Sequence, residues 1–160
     1  MSWEFAFSAV NFWALLGWAA LLFLPRTPLV LSAVFYGVMA LLCLAYGALL
    51  VLLLAGVLPP GGGPGGGEAS FTTIEGVRAI FANDAGVTVG WTHYLALDLF
   101  AGLWIARDAD AKGFSRLVQA PVLIVTLMAG PLGLLIWLVV RERRARKGAR
   151  SSVFGKPPRL

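Results

Sequence analysis

Charge is scarce in this sequence. Asp, Glu, Lys and Arg make up 13% of 160 residues, against 59% hydrophobic residues, and the mean hydropathy is +0.81. Soluble globular domains carry about 25% charged residues, so that class is excluded. Cysteine is reduced to Cys43 and histidine to His93. A lone cysteine rules out an internal disulfide or a cysteine cluster. A lone histidine leaves too few ligands for a protein-only metal centre, and no metal or other cofactor is expected. No Lys or Arg precedes the first apolar block, where Glu4 stands in place of a basic signal-peptide start, so this block is expected to be a retained helix. The stretch PPGGGPGGGE (59–68) lacks the Gly-Lys-Ser/Thr ending that grips a nucleotide phosphate. It is expected to be a linker.

What is present falls into apolar blocks near the length of about 20 residues that a helix needs to cross a bilayer core. The fold class is therefore an all-α membrane protein with four transmembrane helices, over residues 5–24, 29–58, 87–106 and 120–140, followed by a basic tail, 141–160. PRTP (25–28) ends the first block. Gly37 and Gly47 mark expected close helix contacts in the second, which is long enough to tilt or bend. Thr72 and Glu75 have capping-box spacing, and Ile74, Val77 and Phe81 recur at helical intervals. These predict a short interfacial amphipathic helix before the third crossing. Pro131, beside Gly130 and Gly133, is expected to kink the fourth. Trp3 is read as an interfacial anchor.

Eight of the 13 Lys and Arg residues follow residue 140. Four crossings would put both termini on one side, with nine cations there and four on the other, so both termini are expected to be cytoplasmic. The tail lacks the aromatic residues that would stack bases, so nucleic acid is not an expected partner. Membrane lipids are, and self-association stays open.

Inside the third block, GWTHYLALDLF (90–100) carries His93, Tyr94 and Asp98. An ionised aspartate at that depth costs at least about 2.5 kcal/mol, so it is protonated, partnered, or beside water. At 100° per residue, Trp91, Tyr94 and Asp98 share one face and His93 the opposite side, about 140° from Asp98. His93 and Asp98 are candidate catalytic residues, each directed at a different neighbouring helix. Asn11, on a stripe with Glu4 and Ser8, offers donors and an acceptor from the first helix. Asn11, Trp91, Tyr94 and Trp104 are candidate substrate-binding residues. Interhelical glue is the alternative role for these polar groups.

The motif from Trp91 to Phe100 resembles that of the abscisic-acid-deficient-4-like membrane proteins. So do Asn11-Phe12, Thr73 to Arg78 with Phe81, Pro121, and Gly130-Pro131-Leu132-Gly133, in the same order. The Gly/Pro linker and the absence of a plant-type transit peptide point to a bacterial member, in the plasma membrane. The resemblance implies carotenoid biosynthesis: a neoxanthin-synthase-like isomerase converting a carotenoid epoxide to an allenic alcohol, with Asp98 as acid and His93 as base. A noncatalytic protein that binds a carotenoid or a partner protein is the alternative.

Overall fold

The computed structural model describes residues 2–63 and 67–153, with side chains through Glu142. Linker residues 64–66 and the end of the tail, 154–160, lie outside the described residues. All regular structure among them is helical: α1 (Trp3–Phe23), α2 (Pro28–Ser32), a π-helical segment (Ala33–Met39), α3 (Ala40–Leu54), α4 (Ile74–Ile80), α5 (Asp84–Ala111), α6 (Arg116–Met128) and α7 (Gly130–Val153). Two stretches are long and apolar enough to cross a membrane: α1, and the continuous helix Pro28–Leu54 formed by α2, the π segment and α3.

Local chemistry sets the helix starts. Ser2, Thr27, Thr73 and Asn83 each adopt extended backbone and accept a hydrogen bond from an amide of the first turn. Thr73, not Thr72, caps the amphipathic helix, so the predicted capping box does not form: its third position is Gly76, and Glu75 falls one residue short. That helix leaves Phe71, Ile74, Val77 and Phe81 exposed together, the apolar face expected of an interfacial element.

Helix α5 is the hub, packing on α1, the π segment, α3, α6 and α7. It buries a small-residue face, including Ala85, Gly86, Thr88, Thr92, Ala96, Gly102 and Ala106, which lets neighbouring backbones approach closely. Gly102 lies under the ring of Trp18, and Gly17 meets Leu99 and Val38. Gly37 and Gly47, expected at close contacts, have no neighbouring atom within 4 Å of where a Cβ would stand. The Gly/Pro linker is docked: Asp84 and Ala85 amides bond to the Gly62 and Pro60 carbonyls, and Trp3 Nε1 donates to the Pro59 carbonyl at 2.9 Å.

The block expected to be the fourth crossing (120–140) is instead parts of two helices. Helix α6 ends at Met128, Ala129 leaves helical conformation at φ −155°, ψ 77°, and α7 starts at Gly130. Pro131 falls in the first turn of α7, where its missing N–H costs nothing, so it starts a helix where a kink was expected. The two helices are antiparallel: Gly133 packs on Thr126, and Phe114, just before α6, meets Trp137 at 5.0 Å between rings. Helix α7 runs parallel to α5, with Gly130 against Asp98 at one level and Trp137 and Arg141 against Asp108 about three turns on. At 1.5 Å per residue, the 13 residues of α6 rise about 20 Å, well short of the roughly 30 Å bilayer core. The hairpin therefore dips to mid-height and returns. Ser2 and Arg141 consequently lie at opposite ends of the bundle.

Candidate functional site

The half-depth hairpin determines what α5 exposes. From Asp98 onward α5 is covered by α7; below Asp98 the same face continues through Tyr94 and Trp91, which stay 57% and 44% exposed. This face, here termed the bay, would have been covered by a full-length fourth helix and stays exposed beyond the hairpin tip.

The bay is lined from two helices. Trp91 Nε1 donates to Asn11 Oδ1 at 2.9 Å, and Asn11 Nδ2 donates to the Phe7 carbonyl at 2.7 Å, so the Asn11 amide is held at both ends. Phe7 and Trp91 rings stack at 6.1 Å. The aromatic surface continues from Trp91 to Tyr94 (6.5 Å), Tyr94 to His93 (6.4 Å) and His93 to Tyr46 on α3 (5.4 Å). Five rings thus form a strip across the outer side of α5, joining α1 to α3.

The candidate residues divide among four places. Asn11, Trp91 and Tyr94 come together in the bay. Trp104 does not: it lies 13 residues, roughly 20 Å, further along α5, under the guanidinium of Arg141 at 5.5 Å. His93 and Asp98 stay apart, as their helical phase requires. His93 sits against Tyr46, whereas the Asp98 carboxylate accepts a hydrogen bond from the Gly130 backbone N–H. This contact ties the hairpin tip to the middle of α5. Phe7 and Tyr46 were not among the sequence candidates; a single aromatic ring in an apolar helix carries no local signal of its partners.

A second polar cluster, also absent from the sequence reading, closes the opposite end. Arg26 Nη1 donates to the Ala106 carbonyl (3.3 Å), to Asp110 Oδ1 (3.1 Å) and to Gln119 Oε1. Gln119 Nε2 in turn donates to Asp110 Oδ1 (3.0 Å) and the Phe114 carbonyl (2.8 Å), and Arg116 donates to the Leu24 carbonyl (2.7 Å). Burial pushes the Arg26 guanidinium below its ordinary value, Asp110 pulls it back up, and Arg116 adds to the lowering. The signal available in the sequence was Arg26 between two prolines, a cation in a turn too short to reach far into water.

Asp108, near the same end, is clamped by Lys112, by Trp137 Nε1 at 3.0 Å and by Arg141 Nε at 3.2 Å. Burial alone would raise its carboxyl, but these donors and cations outweigh burial and hold it below the usual carboxylate range. A depressed folded-state value means that the clamp stabilises fully above about pH 4 and loses its contribution as pH falls through that lower value. Thermal unfolding in detergent from pH 6 downward should show an acid-side loss of stability that is shallower in Asp108→Asn; equal slopes would contradict the assignment.

A family model described as ABA DEFICIENT 4-like matches residues 5–137, taking in every helix as far as Trp137 of α7 and stopping before the basic tail. No curated protein and no solved structure matches the chain.

Proposed function

The chain belongs to the ABA DEFICIENT 4-like family, and from that membership we propose that it takes a carotenoid or related isoprenoid laterally from the bilayer and isomerises it. The observation that supports this reading is the strip Phe7–Trp91–Tyr94–His93–Tyr46 beside the open bay. A conjugated polyene is long, flat and apolar, and ring faces and edges in a row suit it. Its oxygenated end group needs hydrogen-bonding partners, and Tyr94 and His93 are the polar members of the strip.

Converting an epoxide to an allenic alcohol moves one proton from carbon to oxygen. A C–H bond and a C–O bond break and an O–H bond forms, with no atoms gained or lost. In this reading His93 takes the proton from carbon and the phenol of Tyr94 supplies one to the opening oxygen. Asp98 acts at one remove, as the anchor of the hairpin that roofs the bay. Its engagement with Gly130 favours a second reading, in which the protein binds the pigment without transforming it.

The test is expression in a host that makes epoxidised carotenoids, followed by purification in mild detergent. The wild type should carry pigment and yield an allenic product. His93→Gln should keep the pigment and lose at least about tenfold in product, within the range a general base contributes. Trp91→Ala/Tyr94→Ala should lose the pigment itself. Pigment without product in the wild type would select the binding role; neither pigment nor product would end both.

The same reading sets α1, Pro28–Leu54 and α5 across a bacterial plasma membrane, with α6–α7 re-entrant from the end that carries Arg26 and Arg141. Every Lys and Arg in the sequence except Arg78 then lies at or beyond that end, which makes it the cytoplasmic one.

A further inference from the structure

A cavity of about 280 Å³ opens between the π-helical segment and α5, lined by Phe35, Phe100, Leu103, Trp104, Arg107 and Asp108. Its walls are aromatic and aliphatic, and it opens sideways on a helix surface where Phe100 and Trp104 are 48% and 37% exposed. Phe35 comes from the π turn, a local widening of the helix often found at functional sites. The cavity is distinct from the bay under the hairpin and nearer the basic end.

Charge decides what fits its mouth. Asp108 is already matched by Lys112 and Arg141, so it presents little net negative charge to an incoming group. Arg107 is exposed and takes part in none of the ion pairs among the described residues. Arg141 lies flat over Trp104. The rim therefore carries a guanidinium without an ion-pair partner among the described residues, above an apolar slot. A guanidinium offers paired N–H donors that match two phosphate oxygens.

We propose that this cleft binds an anionic phospholipid, with the phosphate on Arg107 and one acyl chain against Phe35, Phe100, Leu103 and Trp104. The occupant must be amphiphilic, because the slot beneath the cation is apolar. An anionic head group complements that cation, because Arg107 offers paired N–H donors and takes part in none of the ion pairs among the described residues. The site depends on insertion of the bundle in a membrane and is independent of the pigment chemistry.

The test is native mass spectrometry of the full chain in non-ionic detergent, with phosphatidylglycerol, phosphatidylcholine or inorganic phosphate added. The wild type should retain phosphatidylglycerol about tenfold more strongly than phosphatidylcholine, as loss of a charge-assisted hydrogen-bonded contact implies. Arg107→Gln should bring the two lipids level, and Arg107→Lys should keep part of the preference. An unchanged melting midpoint and unchanged pigment content in Arg107→Gln would separate this loss from misfolding and from failure of the isomerase reading. Equal retention of both lipids by the wild type, or undiminished preference in Arg107→Gln, would overturn the proposal. Displacement of the lipid by inorganic phosphate alone would overturn its acyl-chain half. A dimer that dissociates in Arg107→Gln, with no lipid bound, would assign the cleft to a second copy of the chain.

Discussion

In a Cys43→Ser background, cysteines introduced at Ser2 and Ser152 are expected to react with a membrane-impermeant maleimide from opposite sides of the membrane. The hairpin decides this. Ser2 sits at the end where Trp3 holds Pro59 and where the linker docks on Asp84. Helix α7, which carries residue 152, leaves alongside Asp108 at the other end. Charge supports the same arrangement: four crossings would divide the cations nine to four, whereas the hairpin leaves Arg78 alone on one side. Such a bias is a strong orientation signal. Residue 152 should label only from the cytoplasm and residue 2 only from outside. A cysteine at Met128, exposed at the hairpin tip, should resist labelling from either side because it lies at mid-depth. Labelling of both end positions from one side would sink the re-entrant hairpin.

Replacing Gly133 with alanine should cost roughly 1–3 kcal/mol or more and empty the bay of pigment. A Cβ at this position would stand against Thr126 Oγ1 and only 2.5 Å from the Thr126 Cα and amide nitrogen. Two of those atoms are backbone, so no rotamer change relieves the overlap, and overpacking of that kind costs about 1–3 kcal/mol or more. The relief available is to splay α6 from α7, which would move Gly130 away from Asp98. The matched control is Gly37→Ala, where nothing lies within 4 Å, and its midpoint should barely move. Denaturant or thermal unfolding in one detergent would compare them; equal stability of Gly133→Ala and wild type would show that the hairpin is not closely packed there.

The two helices long and apolar enough to cross a membrane, α1 and Pro28–Leu54, were legible in the sequence because hydropathy and length report them directly. The short helix α4 was legible from its periodicity, although its cap is Thr73 where Thr72 was expected. The hairpin was not, since an apolar run of about 20 residues reads the same whether it crosses once or folds back on itself. Its signs were Gly130-Pro131 with Gly133 three residues on, a close-packing glycine just beyond a proline-started helix, and these were read as a kink. The phase of α5 did separate His93 from Asp98 correctly, because helical geometry fixes it. The partners Tyr46 and Gly130 were invisible, since they depend on which helices meet. Trp104 was grouped with Trp91 on residue type, although its distance along the axis already argued against one shared pocket.

The Arg26 cluster bears on how the chain is made. Its members arrive at different times: Arg26 follows the first helix, Asp110 ends α5, and Gln119 enters only with the last hairpin. A chain inserted in order must hold the Arg26 charge without its final acceptor until residue 119 has emerged. Molecules that end before residue 119 therefore keep the Arg26–Asp110 ion pair but lack the amide that closes the cluster.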